Sequence, residues 1–253
     1  MLTSSGTVDV DVEPGPAHRY STASAATLDQ LLAGYIDSQV ATVFRADALL
    51  RSGSPAVQPT CTALRRLRSA LYVFRPALVT RRAASLDADL AWCSSLAMKV
   101  QVRDVLAQRL SGQLDDLPTE LVFPGARSQL SSILAEQRLD HLERFRRAME
   151  SPRYAELLNG LRAWRAEPPF TPKAKRPATK VKRYLKAAQH DLTRSLHGLS
   201  DDAVLDAPET DVLETDQLRE ALRAGERFRD GLALSQGHIG QLDPGHAVVR
   251  SIG

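Results

Sequence analysis

Residues 167–192 read EPPFTPKAKRPATKVKRYLKAAQHDL, and Pro168, Pro169, Pro172 and Pro177 fall within ten residues of one another. Each proline fixes its own φ and pushes the residue before it out of the α region, so no helix can run through the stretch. It predicts an extended surface crossover. From about Thr179 the pattern changes: Val181, Leu185, Ala188 and Leu192 recur at spacings of three and four, a single apolar stripe on a helix expected over about 179–196. Periodic sequence therefore lies on both sides of a proline-rich joint.

Upstream, Leu28, Leu31, Leu32, Tyr35, Ile36 and Val40 predict a helix over about 27–50, stopped by Ser52-Gly53-Ser54-Pro55. Leu64, Leu67, Leu71 and Phe74 predict a second, which begins after Pro59 and is interrupted at Pro76. Further helices are expected over about 85–110, 128–149 and 154–164, and beyond the joint over about 215–233. No segments read as paired strands. The expected fold is all-α: two helical bundles, each half resembling a four-helix bundle, around a basic groove. The first half is expected over about 23–166 and the second over about 175–253, joined by the basic proline-rich segment 167–177. Residues 1–22, dominated by Gly, Pro, Ser and Asp, are expected to form a disordered leader. An echo, RLRSAL at 66–71 and RFRDGL at 227–232, suggests a duplicated unit related by an approximate internal twofold.

Composition narrows the function. The chain has 253 residues, of which 43% are hydrophobic and 25% charged, which excludes wholesale disorder. Aromatics are only 5%, which disfavours a β-sandwich. Cys61 and Cys93 are too few for a disulfide framework or a cysteine-based zinc site, and are expected to be core thiols in a reduced, cytoplasmic setting. Trp92 and Trp164 are expected in the core. The six histidines form no HExxH or HxH arrangement, and neither a glycine-rich phosphate loop nor a G-x-S-x-G elbow occurs. No catalytic residue, metal or cofactor is expected. No apolar run approaches the roughly 18 residues that a membrane helix needs, so no membrane partner is expected.

The net charge of +3, from 33 basic and 30 acidic residues, is too small to identify a partner, but the placement of the charge is informative. Lys173, Lys175, Arg176, Lys180, Lys182, Arg183 and Lys186 form a block without an acidic residue. Lys182 and Lys186 stack on one flank of their helix. On the second helix Arg65, Arg68 and Arg75 line up beside the leucine stripe, towards a cleft between helices, while Arg66 points to the other side. Arg219, Arg223 and Arg227 recur every four residues, with Arg229 close by. A charge run is commonly a solvated face, and Glu220, Glu226 and Asp230 could pair with the last arginines. The 173–186 block has no such neighbours, and like charges repel. Three basic faces point to a polyanion. The candidate binding residues are Arg65, Arg68, Arg75, Lys175, Arg176, Lys182, Arg183, Lys186, Arg223, Arg227 and Arg229. The acidic run Glu209, Asp211, Glu214 and Asp216 is most simply a helix start.

AVQPTCTALRRLRSALYVFRPAL (56–78), PPFTPKAKRPATKVKRYLKAAQ (168–189) and LREALRAGERFRDGL (218–232) resemble the CHAD family, the conserved histidine α-helical domain, over about residues 25–253. The motif A-x-R-R-L-R-S-x-L-x-x-F-R-P stands here as Ala63, Arg65, Arg66, Leu67, Arg68, Ser69, Leu71, Phe74, Arg75 and Pro76. The resemblance implies an all-helical pair of bundles around a basic cavity that binds inorganic polyphosphate, in bacterial cells often on polyphosphate granules, without catalysis. It also marks a divergent member. Gln58 and Arg219 stand where the family has its histidines, Cys61 and Leu222 where it has arginines, and Glu226 where it has a lysine. The alternative is a helical adaptor that has lost polymer binding. Few aromatics accompany the basic block to stack bases, which disfavours single-stranded nucleic acid, although charge alone leaves nucleic acid open.

Overall fold

The apolar stripes become seven α-helices in a computed structural model that describes residues 26–116, 123, 125–201 and 210–239, except for the side chains of 115, 126, 197–201, 210–219 and 236–239. The helices are α1 (Leu28–Arg51), α2 (Val57–Val73), α3 (Thr80–Asp115), α4 (Ala126–Met149), α5 (Pro152–Ala166), α6 (Val181–Asp201) and α7 (Thr210–Ile239). No β-strand forms among the described residues, and the fold is an all-α bundle. The expected leader, 1–22, lies outside the described residues. α3 starts earlier and ends later than its periodicity suggests, because Thr80, Arg81 and Arg82 extend it through exposed turns that carry no stripe.

The joint is not extended throughout: short 3-10 turns form at Pro172–Lys175 and Ala178–Lys180, and the stretches around them hydrogen-bond to the first half. Leu28 N donates to Arg176 O (2.8 Å) and Ala178 N to Ala26 O (3.1 Å). Further back, Val79 N donates to Pro169 O (2.9 Å) and Thr171 N to Ala77 O (2.9 Å). These bonds make isolated bridges at Thr27–Pro177 and Leu78–Phe170. A segment that cannot form an α-helix thus satisfies its backbone partly in its own turns and partly across the start of α1 and the α2–α3 corner.

Two apolar clusters form. One takes α1 from Ile36 onward, most of α2, and the inner faces of α3, α4 and α5, with Leu64, Leu90, Phe145, Tyr154 and Leu161 at its centre. The other joins Leu28, Leu31, Leu32 and Tyr35 of α1 to Ala70, Val73 and Phe74 at the end of α2, to Val181 and Ala188 of α6, and to Leu234 of α7. α1 and α2 therefore run through both cores. The Phe74 and Tyr184 rings, 5.3 Å apart, bring the end of α2 against the first turn of α6. α7 comes unusually close: a Cβ built on Gly231 would stand 2.7 Å from Leu185 Cδ2 of α6, so only glycine fits at this crossing without a shift.

Candidate polyanion-binding surface

Two regions hold the expected cations, and they differ in electrostatic character. At the crossing of α2 and α7 the arginines are neutralised from within. Arg65 Nη1 donates to Asp230 Oδ2 at 2.6 Å and its Nε lies 3.9 Å from Glu226 Oε1. Asp230 is 4% exposed, and the same oxygen accepts the Ser69 hydroxyl at 2.8 Å. Arg227 lies over the Tyr72 ring, 3.8 Å from its centroid, and donates to Glu220 at 2.8 Å, while Arg223 lies 3.5 Å from the other Glu220 oxygen. Arg68 turns the other way and pairs with Asp87 of α3 at 2.8 Å. The Tyr35 phenol is pushed up to about 12, first by burial and then by Asp230, with Arg66 and Arg65 opposing.

The contacts follow the echo noticed in the sequence. Ser69 and Asp230 occupy the same place in the segments RLRSAL and RFRDGL, and they hydrogen-bond to each other. Contact between corresponding positions is the arrangement that an internal two-fold passing between Ser69 and Asp230 would give. Arg65 and Glu226, which also correspond in the two segments, lie 3.9 Å apart.

The joint and α6 are different. Val181, Leu185 and Ala188 are buried, which turns Lys182, Arg183 and Lys186 to solvent. These three, together with Arg75 in the 3-10 turn after α2, Arg176 in the joint and Arg229 on α7, are exposed and have no carboxylate partner among the described residues. Lys175 is the exception within the block: its ammonium lies 2.8 Å from Asp29 Oδ2. Burial raises the Asp29 carboxyl, but Lys175, the Thr27 hydroxyl and the Gln30 amide together hold it below the usual carboxylate value. Of the eleven expected residues, Arg65, Arg68, Lys175, Arg223 and Arg227 are thus ion-paired, and the other six have no carboxylate partner among the described residues. Arg219 and the acidic run 209–216 lie outside the described side chains.

Both thiols are buried and unpaired, and burial pushes Cys61 up to about 11 and Cys93 to about 12, values unsuited to a nucleophile. Trp164 is buried, whereas Trp92 is half-buried beneath the Arg153 guanidinium at 4.5 Å. Among the described residues no group of three or more His, Cys, Asp or Glu could hold a metal, and no helix is long and apolar enough to cross a membrane. Pattern reading missed Asp230 as the buried partner of Arg65, and it missed Tyr72 as the platform beneath Arg227. The place shared by Ser69 and Asp230 in the two segments was the one signal available for the first.

The fold and its charge define a class: an all-helical protein with two cores threaded by the same two helices and an exposed basic face on the sixth. The sequence matches the CHAD domain over residues 34–243, and the chain belongs to that family. PptA from Streptomyces chartreusis has a similar structure, with a TM-score of 0.61, 23% sequence identity, and coverage of 81% of this chain and 76% of PptA. At that identity the likeness is one of fold. No curated protein matches the sequence.

Proposed function

We propose that the protein binds inorganic polyphosphate without transforming it, and that it meets the polymer at the exposed cations of the joint and α6. Membership of the CHAD family supports a polyphosphate-related role. The observation that carries the reading is the exposed set Arg75, Arg176, Lys182, Arg183, Lys186 and Arg229, which have no carboxylate among the described residues to neutralise them. Guanidinium forks take phosphate oxygens in pairs and ammonium groups act as point charges. A chain with about one charge per phosphate, gripped in this way, releases its condensed cations, so affinity falls steeply with salt. Association with polyphosphate granules follows from the same chemistry.

Labelled long-chain polyphosphate titrated at several salt concentrations tests the reading. The triple change Lys182→Gln, Arg183→Gln and Lys186→Gln should weaken binding at least tenfold and flatten the salt dependence. Tight binding left unchanged by it would overturn the assignment.

The internal pairing of Arg65, Arg68 and Arg227 favours a second reading, a helical adaptor whose central cations hold the fold together instead of a ligand. An adaptor would keep its protein partner in a pull-down from which polyphosphate has been removed.

A further inference from the structure

α3 carries buried apolar side chains as far as Val100 and none beyond it among the described residues. Around and past that point it packs along α4, and Met98, Val102 and Val105 stand at spacings of four and three on one of its faces. They are 38%, 46% and 55% exposed. An apolar stripe left in water on a helix is a face that the fold itself does not use.

The stripe borders a groove of about 230 Å3 between α3 and α4, lined by Ser95, Met98, Lys99, Val102, Arg103 and His141. Lys99 and Arg103 are cationic, His141 can become so, and none of the six is acidic. Arg103 and His141 are half-buried, and Arg103 Nε and His141 Nδ1 are covered from water with no hydrogen-bond partner. The carboxylates next to them in sequence are committed elsewhere: Asp104 to Arg138, and Asp140 to Arg144 at 2.9 Å. Both uncommitted nitrogens can donate, and leaving them unpaired and desolvated is costly. The groove thus offers charge and donors for a carboxylate directly beside an apolar surface.

We infer that the α3–α4 groove docks an acidic amphipathic segment of a partner protein. An Asp or Glu side chain enters among Arg103, His141 and Lys99, and aliphatic side chains flanking it cover Met98, Val102 and Val105. The space suits protruding side chains and falls short of an ordinary small-molecule pocket. A phosphate polymer gains nothing from the apolar rim, whereas a protein segment bringing both a carboxylate and aliphatic carbon uses the whole surface. The adaptable Met98 side chain suits such a contact. The groove shares no residue with the joint and α6 surface, so this inference stands apart from the polyphosphate reading.

Random peptides displayed on phage, selected against the full chain and resynthesised with a fluorophore, test the inference by anisotropy. Peptides that bind here should carry Asp or Glu flanked by Leu, Ile, Val or Phe. Arg103→Gln should weaken them roughly tenfold or more, and Val102→Ser severalfold, while the Lys182, Arg183 and Lys186 triple variant leaves them unchanged. Replacing the peptide's acid by its amide should cost as much as Arg103→Gln. Thermal unfolding checks that Arg103→Gln keeps the fold, and Val102→Ser, at an exposed position, serves if it does not. Selection of no peptide sensitive to these two variants, or of basic peptides at them, overturns the site. Displacement of the peptide from the triple variant by long-chain polyphosphate overturns the choice of a protein partner. Loss of polymer binding in the triple variant with the peptide still bound, or the converse, separates failure of one surface from failure of the other.

Discussion

Asp230 concentrates the chemistry of the α2–α7 crossing on one carboxylate. Its burial costs solvation, which the Arg65 guanidinium and the Ser69 hydroxyl offset. Asp230→Ala leaves Arg65 without its main partner and should lower unfolding free energy by about 3 kcal/mol, the low end for a broken buried pair because Arg65 keeps a fifth of its side-chain surface in water. Ser69→Ala, which removes one neutral donor, should cost about 1 kcal/mol. Urea denaturation of both variants checks the ordering. Asp29 allows a pH test. Its folded value lies below the ordinary 3.8, so its contribution is complete above that value and is lost as pH falls through the folded value. The stability difference between wild type and Asp29→Asn should therefore be constant above about pH 5 and shrink in acid. The two thiols should resist a disulfide reagent such as DTNB in the native protein and react promptly once urea unfolds it.

At the scale of elements, α6 and α7 show how a helix can be fixed on one side and free on the other. The α6 stripe Val181, Leu185 and Ala188 is buried, and α7 approaches it at Gly231 so closely that a larger side chain there requires Leu185 to shift. Gly231→Leu should destabilise by about 1–3 kcal/mol through overpacking against Leu185 and Val73, measured by thermal melting. Lys182→Gln and Lys186→Gln should change stability by less than about 0.5 kcal/mol, because both side chains are exposed and neither has an ion pair among the described residues. Near-neutral stability together with weakened polyphosphate binding would be the mark of a functional face. Helix positions were legible in advance because the three-to-four spacing of Leu and Val is a local property of the chain. The true start of α3 was not, because Thr80, Arg81 and Arg82 are exposed and carry no periodic signal.

On the scale of the whole molecule, the joint marks the chain without dividing the core. Leu28, Leu31, Leu32 and Phe74, all almost fully buried, lie before the joint but pack with α6 and α7. A fragment ending at residue 166 would expose this cluster to water, so it should bind ANS and self-associate, whereas the full chain unfolds in one cooperative transition. Two separate transitions in the full chain would mean that the halves fold alone.

The distinction between what is local and what is long-range accounts for how far reading the residues could go. Helix content, the proline joint, the exposed cations of α6 and the family motif are written in neighbouring residues, and each follows from backbone sterics or from three-to-four spacing. Which cations are neutralised is not written there. Arg65 and Arg68 sit three residues apart on one helix, yet one reaches Asp230 of α7 and the other Asp87 of α3, since a side chain's partner depends on which helix crosses above it. Arg66 is set apart in the same way: RRLR shows three equal charges in sequence, and only packing leaves the middle one without a carboxylate partner among the described residues.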